Sequence, residues 1–220
     1  MESRFVSRVK LQACKIRRHI RDYPYNKECR KRLDNKGFSI ISHNCMAGIL
    51  YHRYGMEFLS PTINLWLEGN DFYYLCKNLK EYLTNGKLYF VKSEYNYPVA
   101  ILKCSECKDI RIYFLHYANE EEAAECWYKR CKRVNYDNLY IIGSDFGMSE
   151  SAIRDFGNIA SNGTVIFTNK IYKDLSYTFY LEKYKNNENV GKYVNDINPQ
   201  NGIRYVESVF DFCAFFNSKL

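Results

Sequence analysis

The segment Ser42-His43-Asn44-Cys45 sets four polar or nucleophilic side chains between two apolar runs, Phe38-Ser39-Ile40-Ile41 before it and Met46-Ala47-Gly48-Ile49-Leu50 after it. The first run reads as a buried strand, and 46–54 reads as a helix closed by Gly55. In α/β sheets, ligands bind outside the carboxyl ends of strands, where the following helix presents unpaired N–H groups and partial positive charge. Ser42, His43 and Asn44 are therefore candidate contacts for a phosphate or carboxylate. The segment matches neither GxGxxG nor the P-loop, because Gly48 stands alone. A structural reading uses the same residues: Ser42 and Asn44 cap the helix and Cys45 is buried. A cysteine at a helix start would have a lowered pKa and act as a nucleophile beside an imidazole, which makes Cys45 a candidate catalytic residue.

A second polar break follows an apolar run at Phe114-Leu115-His116-Tyr117. If that strand runs parallel to the first, His116 and Tyr117 emerge at the same edge as Ser42. His116 is the candidate general acid/base, since an unperturbed imidazole titrates near neutrality. Downstream, Arg130 and Arg133 lie near the end of a helical pattern, where they either hold a phosphate or complement the helix dipole. Asn135 and Asp145 border the next strand, Asp145 at its end, where ribose-binding or metal-binding acids are found. A single acid is too little to assign a metal. Cys104-Ser105-Glu106-Cys107 is a lone CxxC in a hairpin turn; zinc needs four ligands, and Cys126 and Cys131 have the wrong spacing for a second half-site.

The elements that must position these residues alternate in type. Strands are expected at 38–42, 62–67, 88–91, 99–103, 110–115, 139–143 and 164–168. Helices are expected at 46–54, 71–85, 119–133 and 149–156. The helix at 119–133 is the best specified, with Asn119 as cap, Glu120, Glu121 and Glu122 in the first turn and Lys129, Arg130, Lys132 and Arg133 at its end. Beyond residue 177 the pattern gives an edge strand, a short helix and a closing amphipathic helix. This order predicts a three-layer α/β/α domain with a mixed, mostly parallel sheet.

The 220 residues suit one domain with appendages, and 46% apolar and 17% aromatic content, with 21 Tyr and 14 Phe, supplies an ample core. Net charge is +7, but residues 1–36 carry 12 Lys/Arg against 4 Asp/Glu, and the remaining 184 carry 20 against 21. The excess lies wholly in an N-terminal arm, and 37–220 form a neutral domain, which argues against nucleic acid. In the arm, Phe5, Val6, Val9, Ala13, Ile16 and Ile20 follow one helical face among Arg and Lys, and Pro24 ends the pattern. Such a helix either packs on its own domain or lies on an anionic membrane surface. Nine cysteines without an apolar leader suggest reduced thiols in the cytoplasm, with the inner face of the membrane within reach of the arm.

SHNCMAG at 42–48, SP at 60–61, YPVAIL at 97–102, FLHY at 114–117 and EEAAECWYKRCKRVNYDN at 121–138 resemble a bacterial family, domain of unknown function 1919. Its members are often labelled exopolysaccharide biosynthesis proteins. The resemblance spans roughly residues 37–170 and points to Ser42, Asn44, Cys45, Pro61, His116, Tyr117, Trp127, Arg130, Arg133 and Asn135. His43 stands where the family pattern has Asn, and Met46-Ala47 where it has Trp-Gly. The label implies a role in capsule or exopolysaccharide assembly. The resulting expectation is a glycosyltransferase-like transferase without cofactor or metal that binds a sugar nucleotide or sugar phosphate. The rival reading is a non-catalytic module binding a glycan or a partner of the assembly machinery.

Overall fold

The computed structural model describes the backbone of residues 2–218 and the side chains of residues 16–218. In chain order, its first elements are α1 (Glu2–Arg32), β1 (Ser39–Ser42), α2 (Met46–Tyr54), α3 (Gly69–Lys77) and α4 (Leu79–Asn85). There follow β2 (Lys87–Val91), β3 (Val99–Lys103), β4 (Ile110–Tyr113), α5 (Glu120–Cys131), β5 (Leu139–Ser144) and α6 (Glu150–Asp155). The chain closes with β6 (Gly163–Thr168), β7 (Thr178–Tyr180), α7 (Tyr205–Val209) and α8 (Phe212–Asn217).

Four strands form a parallel sheet in the order β1-β5-β6-β7, with Ser42 opposite Ile142 and Ile142 opposite Val165. Successive side chains leave a strand on opposite faces, so a strand buried on both sides reads as a continuous apolar run. Ile41, Leu139, Ile141 and Ile166 enter one core with Phe72, Leu75, Trp127 and Phe156 from α3, α5 and the turn after α6. Ile40, Tyr140, Ile142, Val165 and Phe167 enter the other with Cys29, Leu50, Tyr51, Phe212 and Phe216 from α1, α2 and α8. The three-layer α/β/α arrangement is thus present. Each fully buried large apolar side chain contributes about 1.5–3 kcal/mol, so the two cores carry most of the stability.

Several local expectations require correction. The hairpin β3-β4, expected within one mixed sheet, joins β2 in a separate antiparallel sheet of three strands. The inner residues of that sheet, Ala100, Leu102 and Ile112, pack into the first core beside α3 and α4. Residues 62–67 do not form a strand. Asn64 has φ 61°, and the one bridge is Trp66 to Tyr113. Instead of a ladder, the Thr62 hydroxyl accepts from the Ser42 N–H at 3.0 Å. Pro24 lies inside α1, which continues to Arg32 because Tyr25 and Cys29 anchor the turns beyond it in the second core. The closing helix is split into α7 and α8, since Asp211 caps the Ala214 N–H at 3.1 Å and starts a new helix.

Candidate functional site

The carboxyl ends of β1 and β5 meet at a cavity of about 630 Å³. At the end of β1 the chain turns sharply, and its side chains occupy the donors of the next helix. The Asn44 carboxamide oxygen accepts from Met46 N–H at 3.0 Å, and the Ser42 hydroxyl accepts from Ala47 N–H at 3.1 Å. Capping is therefore the role of Ser42, which is fully buried behind the cavity wall. Asn44 does more than cap. Its amide donates to the Tyr193 hydroxyl at 3.2 Å and contacts His43 Nε2 at 3.3 Å, while it still lines the cavity.

His43, Cys45 and His116 reach the same cavity, so the two polar breaks do converge. His116 arrives by a different route from the one its sequence suggests. It follows β4 of the separate sheet and is fixed by its own backbone N–H, which donates to the Asn64 carbonyl at 3.2 Å. Its side chain is exposed at the rim. His43 is buried, with Nε2 3.1 Å from the Ser144 hydroxyl at the end of β5 and the ring edge-on to Phe72. Burial pushes its pKa down to about 4, so it is neutral near pH 7. The Cys45 thiol departs from expectation in the other direction. Burial pushes its pKa up, the opposing pull of Arg204 notwithstanding, and two first-turn N–H groups that would stabilise a thiolate are already bonded.

Arg204 is the principal site residue that the sequence does not reveal. It lies 159 positions beyond Cys45 and caps the start of α7, with its backbone N–H donating to Glu207 Oε2 at 3.0 Å. Its guanidinium donates to the Val194 carbonyl at 2.7 Å and pairs with Glu207 at 3.5 Å. Glu207 is already held by Arg53 at 2.8 Å, so Arg204 shares its counter-ion. Burial lowers the Arg204 pKa, which marks a cation short of solvent and of negative charge. The one sequence trace is Glu207 three residues on, the second half of a capping box. Trp66 also lines the cavity; it stacks on Tyr113 with ring centres 3.7 Å apart and planes 5° apart.

A family model, described as Domain of unknown function (DUF1919), matches residues 16–217. The chain belongs to the DUF1919 family. It is also 34% identical over 193 residues to a Haemophilus influenzae protein called "Uncharacterized protein", covering 87% of this chain and 90% of that protein.

The remaining candidates of this DUF1919 chain lie outside the cavity lining. Tyr117 is buried, donates to the Ile63 carbonyl at 2.8 Å and accepts from Arg130 at 2.5 Å. Arg130 also sits over the Phe58 ring, and Arg133 pairs with Glu57 at 2.7 Å. Asn135 donates its amide to the Gly37 carbonyl at 2.9 Å, beside the amino end of β1. A helix advances 1.5 Å per residue, so α5 carries its last turn to the end of β1 opposite Ser42. Asp145 receives the Asn169 and Val190 N–H groups at 2.8 Å each, which locks the ends of β5 and β6 to the loop before Tyr193. Cys104 donates to Glu81 at 3.4 Å, and burial pushes its pKa up to about 11. Among the described residues no three His, Cys, Asp or Glu side chains are grouped to hold a metal ion, and no helix is long and apolar enough to cross a membrane.

Proposed function

We propose that this chain is a transferase of bacterial surface-polysaccharide assembly that binds a phosphate-bearing sugar at the carboxyl ends of β1 and β5. The observation that carries the reading is the charge of the cavity wall. Arg18 and Arg204 line it beside the neutral His43 and the imidazoles of His52 and His116, and among the described residues no Asp or Glu lines it. Such a wall favours an anion, and a partly buried guanidinium binds phosphate oxygens by charge-assisted hydrogen bonds. The volume of about 630 Å³ lies within the usual range for small-molecule sites. Trp66 offers an aromatic surface suited to the apolar face of a sugar ring.

In this reading Arg204 takes the clamping role expected of Arg130 and Arg133, and Asn44 orients the ligand. His116, the exposed imidazole at the rim, acts as the acid/base. Cys45 lines the site as a protonated thiol. The unpaired thiols of the described chain agree with a cytoplasmic location, where activated sugars are made. The absence of carboxylates from the lining, among the described residues, favours one rival, a non-catalytic module that recognises a sugar phosphate without transferring it, because acid/base work then falls to the exposed imidazoles of His52 and His116 with no carboxylate to assist them.

Thermal shift of the purified chain with inorganic phosphate, nucleoside diphosphates and nucleoside diphosphate sugars tests the reading. Stabilisation by a phosphate-bearing ligand is expected, with affinity about 10–100-fold weaker in Arg204→Ala, the loss of one charged hydrogen-bonding group. His116→Ala should keep affinity and lose transfer. An Arg204→Ala protein that binds as tightly as the parent, or a panel without any stabilising ligand, refutes the site. Full transfer by His116→Ala refutes the acid/base assignment.

A further inference from the structure

The two sides of α1 have opposite surroundings. Cys29 is buried in the second core and Tyr25 packs against it, while Arg18 lines the cavity. At about 100° per residue, Arg18, Tyr25 and Cys29 share one face. Ile20 stands nine residues before Cys29, about two and a half turns, and so faces directly away from the domain. Ile16 and Tyr23 lie on the same outward stripe at i−4 and i+3. All three are open to solvent: Ile16 is 54% exposed, Ile20 67% and Tyr23 52%. These are the largest exposures of bulky apolar side chains in the second half of the described arm, and they lie in a row.

Basic groups flank the row. Arg17, Lys27 and Lys31 are exposed, and among the described residues no carboxylate pairs with any of them. The whole arm, residues 1–36, carries +8, and the rest of the chain −1. We propose that the outward face of α1 docks on an anionic lipid bilayer, with Ile16, Ile20 and Tyr23 inserted at the headgroup boundary and the flanking Lys and Arg among the headgroups. An apolar stripe within a basic polar face is the pattern of helices that lie in the membrane interface. Nucleic acid would use the charge and leave the apolar row in water. A second copy would bring two +8 arms together, which repel.

The docking also bears on the cavity. Because Arg18 lies on the inner face of the same helix, a bilayer on the outer face would be about one helix diameter, 10–12 Å, from the cavity wall. This goes beyond the ligand reading and stands or falls separately from it, since it is measured with no ligand added.

Co-sedimentation of the full chain with vesicles of phosphatidylcholine, with and without phosphatidylglycerol, is the test. Binding is expected with phosphatidylglycerol, absent with phosphatidylcholine alone, and weaker by about tenfold or more in Ile16→Asp/Ile20→Asp, since both apolar insertions are lost. The substitutions lie on the solvent face and should leave the unfolding temperature unchanged, which circular dichroism verifies. No binding by the parent chain, or equal binding by the double variant, overturns the proposal. So does a parent dimer in light scattering that the double variant dissolves, because the face would then be covered by a second copy.

Discussion

Arg53→Met is expected to lower the unfolding midpoint by roughly 6–20 °C, the largest effect of any single substitution near the site. Arg53 is 4% exposed and joins three segments distant in sequence. Its guanidinium donates to Glu207 Oε1 at 2.8 Å and Oε2 at 3.0 Å, to the Gly202 carbonyl at 2.6 Å and to the Asn26 side chain at 2.9 Å. One side chain of α2 thereby holds α1 and the start of α7. Removing one member of a buried pair leaves the other charged and desolvated, a loss of about 3–5 kcal/mol. In a chain of this length each kcal/mol moves the midpoint by about 2–4 °C. Glu207→Leu alone should lose a similar amount. Arg53→Met/Glu207→Leu together should recover part of it, because both charges of the pair are then gone and only the partly buried Arg204 loses its counter-ion. Calorimetry of the three variants decides the matter: equal, additive losses would mean that packing around the stem of Arg53, and not the ion pair, supplies the stability. Arg204 would sense the result too, since Glu207 is also its counter-ion.

How much of this was readable beforehand depended on whether the signal was local. β1, β5 and β6 announce themselves as short apolar runs, and α5 has its cap, its acidic first turn and its basic end within 15 residues. His43, Asn44, Cys45 and His116 were legible for the same reason, each lying next to a polar break in an apolar run. Three kinds of information were not local. Pro24 argues for a helix end on propensity alone, and only the burial of Cys29 explains why α1 continues. The alternation of Ile63, Leu65 and Leu67 is real, since all three are buried, yet the ladder partners that would make them a strand are absent. The third is the pairing of ends. Arg130 and Arg133 have the right chemistry for a phosphate, but the length of α5 takes them away from the cavity, while Arg204 enters from a segment whose one trace is Glu207 three residues on. Charge type can be read from sequence; which end of a sheet a charge reaches requires the topology.

His43 gives the second large effect, and its sign is fixed by its surroundings. Met46 N–H donates to the Asn44 oxygen, so the Asn44 amide nitrogen is the atom that faces His43, and Nε2 must accept. The proton of the neutral ring therefore sits on Nδ1, which is buried without a partner. Among the described residues no carboxylate accompanies the ring; its neighbours are Ser144, Asn44 and the Phe72 edge. A second proton would place a full charge in this setting, which is why burial takes the pKa from 6.5 down to about 4. The unfolded chain takes up its proton near 6.5 and the folded chain only near 4, so unfolding is coupled to proton uptake between those values and stability falls as pH falls. The contribution is complete above about pH 6.5 and is lost progressively below it, about 2 kcal/mol by pH 5 and about 3 kcal/mol by pH 4. Urea unfolding at pH 7 and pH 5 measures it in a window where most carboxylates stay ionised. Asp145, whose carboxyl burial holds above its ordinary range, acts with the opposite sign and nearer its own titration. His43→Asn removes the titrating group and retains a hydrogen-bonding side chain. Its stability should be nearly flat between the two pH values. An equal acid loss in His43→Asn and parent would assign the effect to other groups and leave His43 an ordinary ring of the wall.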